Sequence, residues 1–200
     1  MEAGFLQRHQ GLRDALNFIG FVALVLIGTL LINQFIFRSF NVVGPSMEST
    51  FYTGDRLIVD RLPVTWANIQ GKSYIPQRGQ IIIFKNPRYV QGQEEKYIVK
   101  RVIAFEGERV TVKDGVLKVY NEENPNGFEP DELNTNGTPG TPTSGTVDEV
   151  VAEGTVFVAG DHREGNYSFD SRSGLGTIPY YDIIGPVSFR IWPLNGIGSY

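Results

Sequence analysis

Between Ala15 and Phe37 no charged residue interrupts the chain, and the middle of that stretch, Phe18 to Ile32, reads FIGFVALVLIGTLLI. A soluble helix shows an apolar stripe facing its core; here every face is apolar, so packing against a single core cannot bury it. Twenty-odd such residues, wound as a helix, cross a hydrocarbon layer of roughly 30 Å. The segment 15–37 is therefore expected to be a transmembrane anchor, preceded by a short polar tail (1–14) and followed by a separate folded part (38–200). A cleaved secretion signal competes with this reading, because it also sets basic residues before an apolar core. The run exceeds the roughly 7–15 residues of such a core, and it leaves through Gln34-Phe35-Ile36-Phe37-Arg38 without a small-x-small pair. Arg8 and Arg13 before the span, against Arg38 after it, favour an N-terminus inside by a small margin.

Beyond Arg38 the chain changes texture. Short alternating runs are broken by Gly, Pro, Asp and Asn: Arg56–Arg61, Gln80–Phe84, Tyr97–Phe105, Val110–Tyr120 around an Asp114-Gly115 turn, Thr155–Ala159 and Ile183–Trp192. These read as strands, and no ten-residue amphipathic helix competes with them. The fold class is mainly β, a single β-rich domain behind one N-terminal transmembrane helix. Its length suffices for one core, and 41% hydrophobic residues can fill it. Without cysteine, thiol nucleophiles, zinc–thiolate sites and disulfides are excluded. A net charge of −4 with no basic tract argues against nucleic acid as a partner. From Asn121 to Glu149 the chain turns to Asn, Gly, Pro, Thr and acids, as in NGTPGTPTSGT. Such a stretch buries little apolar surface and is expected to be a flexible surface insertion or a small appended flap.

Three stretches carry candidate chemistry. In Val43-Gly44-Pro45-Ser46-Met47 a serine sits between a Gly-Pro turn and an apolar residue, soon after the anchor; an ordinary turn is the competing reading. In the strand Tyr97-Ile98-Val99-Lys100-Arg101-Val102-Ile103, alternation places Lys100 with Ile98 and Val102 and Arg101 with Val99 and Ile103. One of these adjacent cations must then face apolar surroundings. Lysine tolerates this by giving up its proton, whereas a guanidinium does not; a lysine on an edge strand reaching to water is the alternative. The third stretch, Gly160 to Arg172, sets Asp161, His162, Ser168, Asp170 and Arg172 in a loop beside an apolar strand. There Asp170 and Arg172 can form an ion pair that fixes the loop and leaves Ser168 free to bond to an amine.

Taken in order, Gly44-Pro45-Ser46-Met47 with Thr50, Gly54-Asp55, Arg78-Gly79 before Ile81–Phe84, Lys100-Arg101-Val102-Ile103, and Gly160-Asp161-x-Arg163 with Ser168-x-Asp170-Ser171-Arg172 resemble the boxes of type I signal peptidases. These are membrane-anchored serine proteases with a serine–lysine dyad. The resemblance extends through Ile178-Pro179, Ile184-Gly185 and Trp192–Asn195 and leaves out only the insertion. It implies Ser46 as nucleophile, Lys100 as its base, Ser168 as the hydroxyl that orients the amine, Asp170 with Arg172 as a brace, and Arg101 as structural. It implies exported precursors with signal peptides as substrates, the lipid bilayer as a further partner, and no cofactor or metal. Cleavage after an Ala-x-Ala-like pair implies small pockets, for which Met47 and Phe84 are the expected lining. The bacterial plasma membrane, with the catalytic part outside, is the implied location, and a thylakoid membrane is the other option.

The chain departs from the family pattern in several places. Gly44 stands where some members carry an oxyanion-stabilising hydroxyl, which leaves the backbone to do that work. Ser49 replaces a usual Pro; Ala104, Glu106 and Glu108 replace Gly, Pro and Asp; His162 replaces an Asn; and one or two residues are inserted around Gly165-Asn166. A serine hydroxyl needs a base within reach. Of the two histidines, His9 precedes the span, so His162 with an Asp is the alternative base. Two other readings differ more widely: a membrane-tethered β-rich binding or envelope protein without catalysis, and a self-cleaving repressor. The anchor, and the lack of a helix-turn-helix before the catalytic part, speak against the latter.

Overall fold

The computed structural model describes residues 10–92, 96–134 and 136–200; Glu2, Arg8 and His9 of the polar tail lie outside them. Helix α1 runs from Gln10 to Phe35, starting five residues before the uncharged stretch because Gly11–Asp14 continue the same helical backbone. It stops before Phe37 because that residue opens the first strand. Twenty-six residues at 1.5 Å each rise about 39 Å, and the apolar window of α1 is unburied by the rest of the chain.

Eleven strands come next among the described residues: β1 (Phe37–Asn41), β2 (Arg56–Asp60), β3 (Ile81–Lys85), β4 (Tyr97–Phe105), β5 (Arg109–Lys113), β6 (Val116–Tyr120), β7 (Val147–Val150), β8 (Thr155–Ala159), β9 (Ile178–Pro179), β10 (Ile183–Trp192) and β11 (Gly198–Ser199). Most of the expected runs are there within a residue. The β5–β6 hairpin turns on Asp114 and Gly115, both at positive φ (53° and 81°), the twist that a tight two-residue connection needs. Helix α2 (Leu62–Ile69) was not expected, since eight residues opening with a proline give no readable helical period.

Among the described residues an eight-stranded antiparallel sheet has the order β1-β2-β10-β3-β4-β8-β9, with β11 also paired to β10, and a smaller sheet has the order β6-β5-β7. Strands β3 and β4 lie inside the larger sheet and are buried on both faces. Ile82, Phe84, Ile98 and Val102 join one core with Val156, Val158 and Ile178, while Ile81 and Ile83 join another with Met47, Phe51, Leu57 and Val59. A third core joins the sheets through Ile103, Val110, Val112, Leu117, Val119 and Phe157. Burial on both faces explains why β3 reads as a continuous apolar run.

Candidate active site

The loop from β1 to β2 is closed at its base by Val42 N–H to Asp55 O (2.9 Å) and Gly54 N–H to Val42 O (3.0 Å). Inside it Glu48 N–H donates to Pro45 O (3.0 Å), and Thr50 and Phe51 N–H both donate to Met47 O (2.8 Å). Met47 and Phe51 have no exposed surface, so two large apolar side chains hold the loop down and present Ser46 beside them.

Lys100 comes from the middle of β4. Its register partner is Ile82 of β3, which puts it on the face of Ile98 and Val102, and only 3% of it is exposed. The Lys100 amine donates to Ser46 Oγ at 2.7 Å and to Val99 O at 2.9 Å. Sequence placed one of the two adjacent cations in apolar surroundings; the structure buries both, which corrects that expectation. Arg101 is fully buried and is paired with Asp161, to which its Nε donates at 2.7 Å, with Nη2 on the second carboxylate oxygen and Nη1 on Gly79 O. A buried guanidinium needs such a fully bonded counter-charge. Thr50 Oγ1 donates to the same carboxylate, so the Arg101–Asp161 pair also ties down the far side of the Ser46 loop.

The loop after β8 closes over this pair. Ser168 is buried and its hydroxyl donates to Asp170 Oδ2 at 2.6 Å, which leaves its lone pairs to accept from a donor. Asp170 also accepts from Gly160 N–H (2.9 Å) and from Arg172 Nε (3.1 Å) and Nη2 (2.7 Å). Burial pushes the Asp170 carboxyl up, but the Arg172 bonds and charge, with Gly160 N–H and the Ser168 hydroxyl, outweigh it and hold the group below the usual carboxylate range. Gly160 is the contact point: a Cβ there would lie 2.1 Å from Ser168 Oγ and 2.3 Å from Ser46 O. The extra residues of this loop bulge outward, Glu164 to Tyr167 all being exposed, and the chain returns to bring Ser168 and Asp170 into place.

The structure does not give His162 the position of a base. Its ring stacks on Tyr167 (centroids 4.4 Å apart), Nδ1 bonds with Pro45 O at 3.1 Å, and its backbone N–H donates to Ser46 O at 3.1 Å. The ring nitrogen nearest the Ser46 loop is thus engaged with a backbone carbonyl, while Ser46 Oγ is held by Lys100.

A cleft of about 430 Å³ opens at Ser46 and Lys100. Phe40, Val42, Leu57, Ile83, Tyr97, Ile98 and Val99 wall it from the strands, and Asn166, Tyr167 and Phe169 from the last loop. Met47 and Phe84, expected as its lining, are not part of it. Both are fully buried, Met47 because it pins the loop and Phe84 because its side chain joins the core with Ile98 and Ile178. Among the described residues no three His, Asp or Glu side chains gather in a way that could hold a metal ion.

The segment 121–149, to which sequence gave no chemistry, runs against both loops. Ser49 Oγ donates to Thr138 O, Thr138 N–H to Thr50 Oγ1, Gly140 N–H to Asp161 O and Ser144 N–H to Arg163 O. Its 3₁₀ turn (Pro130–Leu133) presents Asp131 to the guanidinium of Arg163 through two bonds, and Arg163 Nε donates to Gly160 O. Arg163 stood in the recognised pattern, but its partner did not; nothing in the sequence marked Asp131.

A serine hydroxyl bonded to a buried amine beside an apolar, strand-walled cleft has the make-up of a serine hydrolase site. The family model described as signal peptidase, peptidase S26, matches residues 13–192, and the chain belongs to that family, whose reaction is the removal of signal peptides. It is similar to a signal peptidase I of Bacillus licheniformis (30% identical over 180 residues, 88% of each chain) and a signal peptidase I T of Bacillus subtilis strain 168 (32% over 182 residues, 87% of this chain and 83% of that protein). A signal peptidase IB of Staphylococcus aureus strain COL is 31% identical over 202 residues, with 92% of each covered. The crystal structure of a signal peptidase I from Enterococcus faecalis V583 is 28% identical, covering 57% of this chain and 97% of that one with a TM-score of 0.40. Family membership removes the reading as a non-catalytic envelope scaffold.

Proposed function

We propose that Ser46 is the nucleophile and Lys100 the general base of a signal peptidase held in the membrane by α1. The observation that carries this reading is the 2.7 Å contact between Lys100 Nζ and Ser46 Oγ, made where water has almost no access to the amine. Removal from water disfavours the ammonium form, and the uncharged amine is the form that can accept a proton.

In the acylation step the amine takes the Ser46 hydroxyl proton as Oγ attacks the scissile carbonyl. The negative charge that develops on the carbonyl oxygen faces the Ser46 backbone N–H, since Gly44 offers no side chain. The ammonium of Lys100 then returns its proton to the leaving amine, and the C–N bond breaks. Water, deprotonated by the same amine, hydrolyses the ester and restores both groups. Val99 O fixes the amine by accepting from it, and Ser168, with its own hydrogen given to Asp170, serves as a second acceptor facing the dyad.

The substrate is an exported precursor whose signal peptide reaches the cleft as an extended segment, with alternate side chains entering the apolar walls. Phe40, Val42, Ile83, Tyr97 and Ile98 leave room for alanine-sized side chains on the segment before the scissile bond, the part that becomes the acyl group on Ser46. The setting is the bacterial plasma membrane, with the catalytic domain outside and the N-terminus inside. Mass analysis of products from a precursor with an Ala-x-Ala site, beside one with Phe at both alanine positions, tests this: a single cut after the second alanine and no cut in the Phe precursor are expected. Equal cutting of both would refute the small-pocket reading.

A further inference from the structure

Helix α2 takes no part in the chemistry above, yet it is seated on the end of α1. Arg61 N–H donates to Ile36 O at 2.7 Å, Arg61 Nη1 to Gln34 O, and Thr65 Oγ1 to Phe35 O at 2.8 Å. A helix leaves its last carbonyls without partners, and its C-terminal end favours a neighbouring cation. The start of α2 therefore caps α1 and is fixed to the point where the apolar helix ends.

The side chains of α2 divide sharply. Val64 is buried, while Leu62, Trp66 and Ile69 are 47%, 64% and 72% exposed. Positions i, i+4 and i+7 fall on one face of a helix, so an eight-residue element turns three large apolar side chains outward together.

We propose that this face of α2 is an interfacial foot, lying in the headgroup and upper acyl layer of the membrane that α1 crosses; the inference rests on the anchor reading of α1. Lipid is the occupant because the face is continuous, through three hydrogen bonds, with a helix apolar on all sides. A single tryptophan between aliphatic residues also suits the boundary where one end of the ring is dry and the other wet. The foot fixes the height of the catalytic domain. Strand β1 leaves α1 at Phe37, and the cleft begins at Phe40, so a domain resting on α2 holds its cleft mouth a few residues from the bilayer surface.

The chain has no cysteine and two tryptophans, which makes the test direct. Full-length Ile69→Cys and, as a control on an exposed site in the 121–149 segment, Glu122→Cys are labelled with a nitrobenzoxadiazole fluorophore. Both are reconstituted in vesicles of phosphatidylcholine and phosphatidylglycerol with plain or brominated acyl chains, and flotation is checked first. The foot predicts blue-shifted emission at position 69, quenched several-fold by brominated chains, and water-like, unquenched emission at position 122. Trp66 in Trp192→Phe, read by its own emission, gives the same result without a label. Water-like, unquenched probes at 66 and 69 in protein that floats overturn the foot and leave the anchor standing. Protein that does not float overturns the anchor reading and the foot with it.

Discussion

The amine of Lys100 and the hydroxyl of Ser46, 54 residues apart in sequence, meet at 2.7 Å. One is carried by a strand buried on both faces and the other by a loop pinned through Met47 and Phe51. Neither has room to drift, so the proposed base is set by position as well as by chemistry. A guanidinium in place of the amine stays charged, so Lys100→Arg is expected to lose turnover on the order of 10⁴-fold or more. Precursor cleavage measures this, with circular dichroism as the check on folding.

Gly160 is where the last loop presses on the dyad. A methyl group there would lie 2.1 Å from Ser168 Oγ and 2.3 Å from Ser46 O, well inside contact distance. Displacement of a catalytic group by about 1 Å costs roughly 10²-fold, so Gly160→Ala should lower kcat by about that factor and leave KM nearly unchanged. Steady-state kinetics on a peptide spanning the cleavage site will read this split.

The Asp170–Arg172 brace predicts acid sensitivity. The folded-state carboxyl of Asp170 is held below its usual range, so its contribution to stability is fully present above the unfolded value of about 3.9. That contribution is lost as pH falls through the lower folded value. Arg172→Met leaves a buried carboxylate without its cation and should cost about 3–5 kcal/mol near neutral pH. Because the variant no longer depresses the carboxyl, its thermal midpoint should fall less steeply than the parent's between pH 5 and pH 3, roughly the range of carboxylate titration. Parallel slopes would remove the brace from the account.

Asp131 ties the 121–149 segment to Arg163, and Arg163 holds Gly160 O at 2.8 Å. Asp131→Asn keeps the shape and removes the charge. Because Arg163 is fully buried while the Asp131 side chain is 23% exposed, a loss of about 3 kcal/mol is expected, the low end for a broken buried pair. Urea unfolding gives that figure, and a fall in kcat/KM for the folded variant at low temperature shows that the bond also positions the site.

Much of this arrangement was legible because it rests on local pattern. Alternation in Tyr97–Phe105 and Ile183–Trp192, and the Asp114-Gly115 turn, gave strands and hairpin within a residue. The ordered boxes pick out Ser46 and Lys100, which the fold brings to 2.7 Å, and Ser168, Asp170 and Arg172, which it bonds together. What stayed hidden depends on contacts across the sheet. Alternation alone put one cation of the Lys100-Arg101 pair inside; that both are buried depends on Asp161, 60 residues further on, reaching Arg101. Met47 reads as pocket lining from its place beside Ser46, but neighbouring Ser46 in sequence says nothing of which way a side chain turns. Segment 121–149 has the composition of a solvated loop, and contacts with Ser49, Thr50, Asp161 and Arg163, with its last residues paired to β5, hold parts of its backbone in place. Helix α2 was too short for its period to be seen.

The most direct test compares Ser46→Ala, Lys100→Ala and His162→Ala side by side on one signal-bearing precursor in vesicles. The account predicts no product with the first two and most of the parent rate with the third, whose ring bonds to Pro45 O rather than to Ser46 Oγ. Product formation by Lys100→Ala, with turnover lost in His162→Ala, would contradict it.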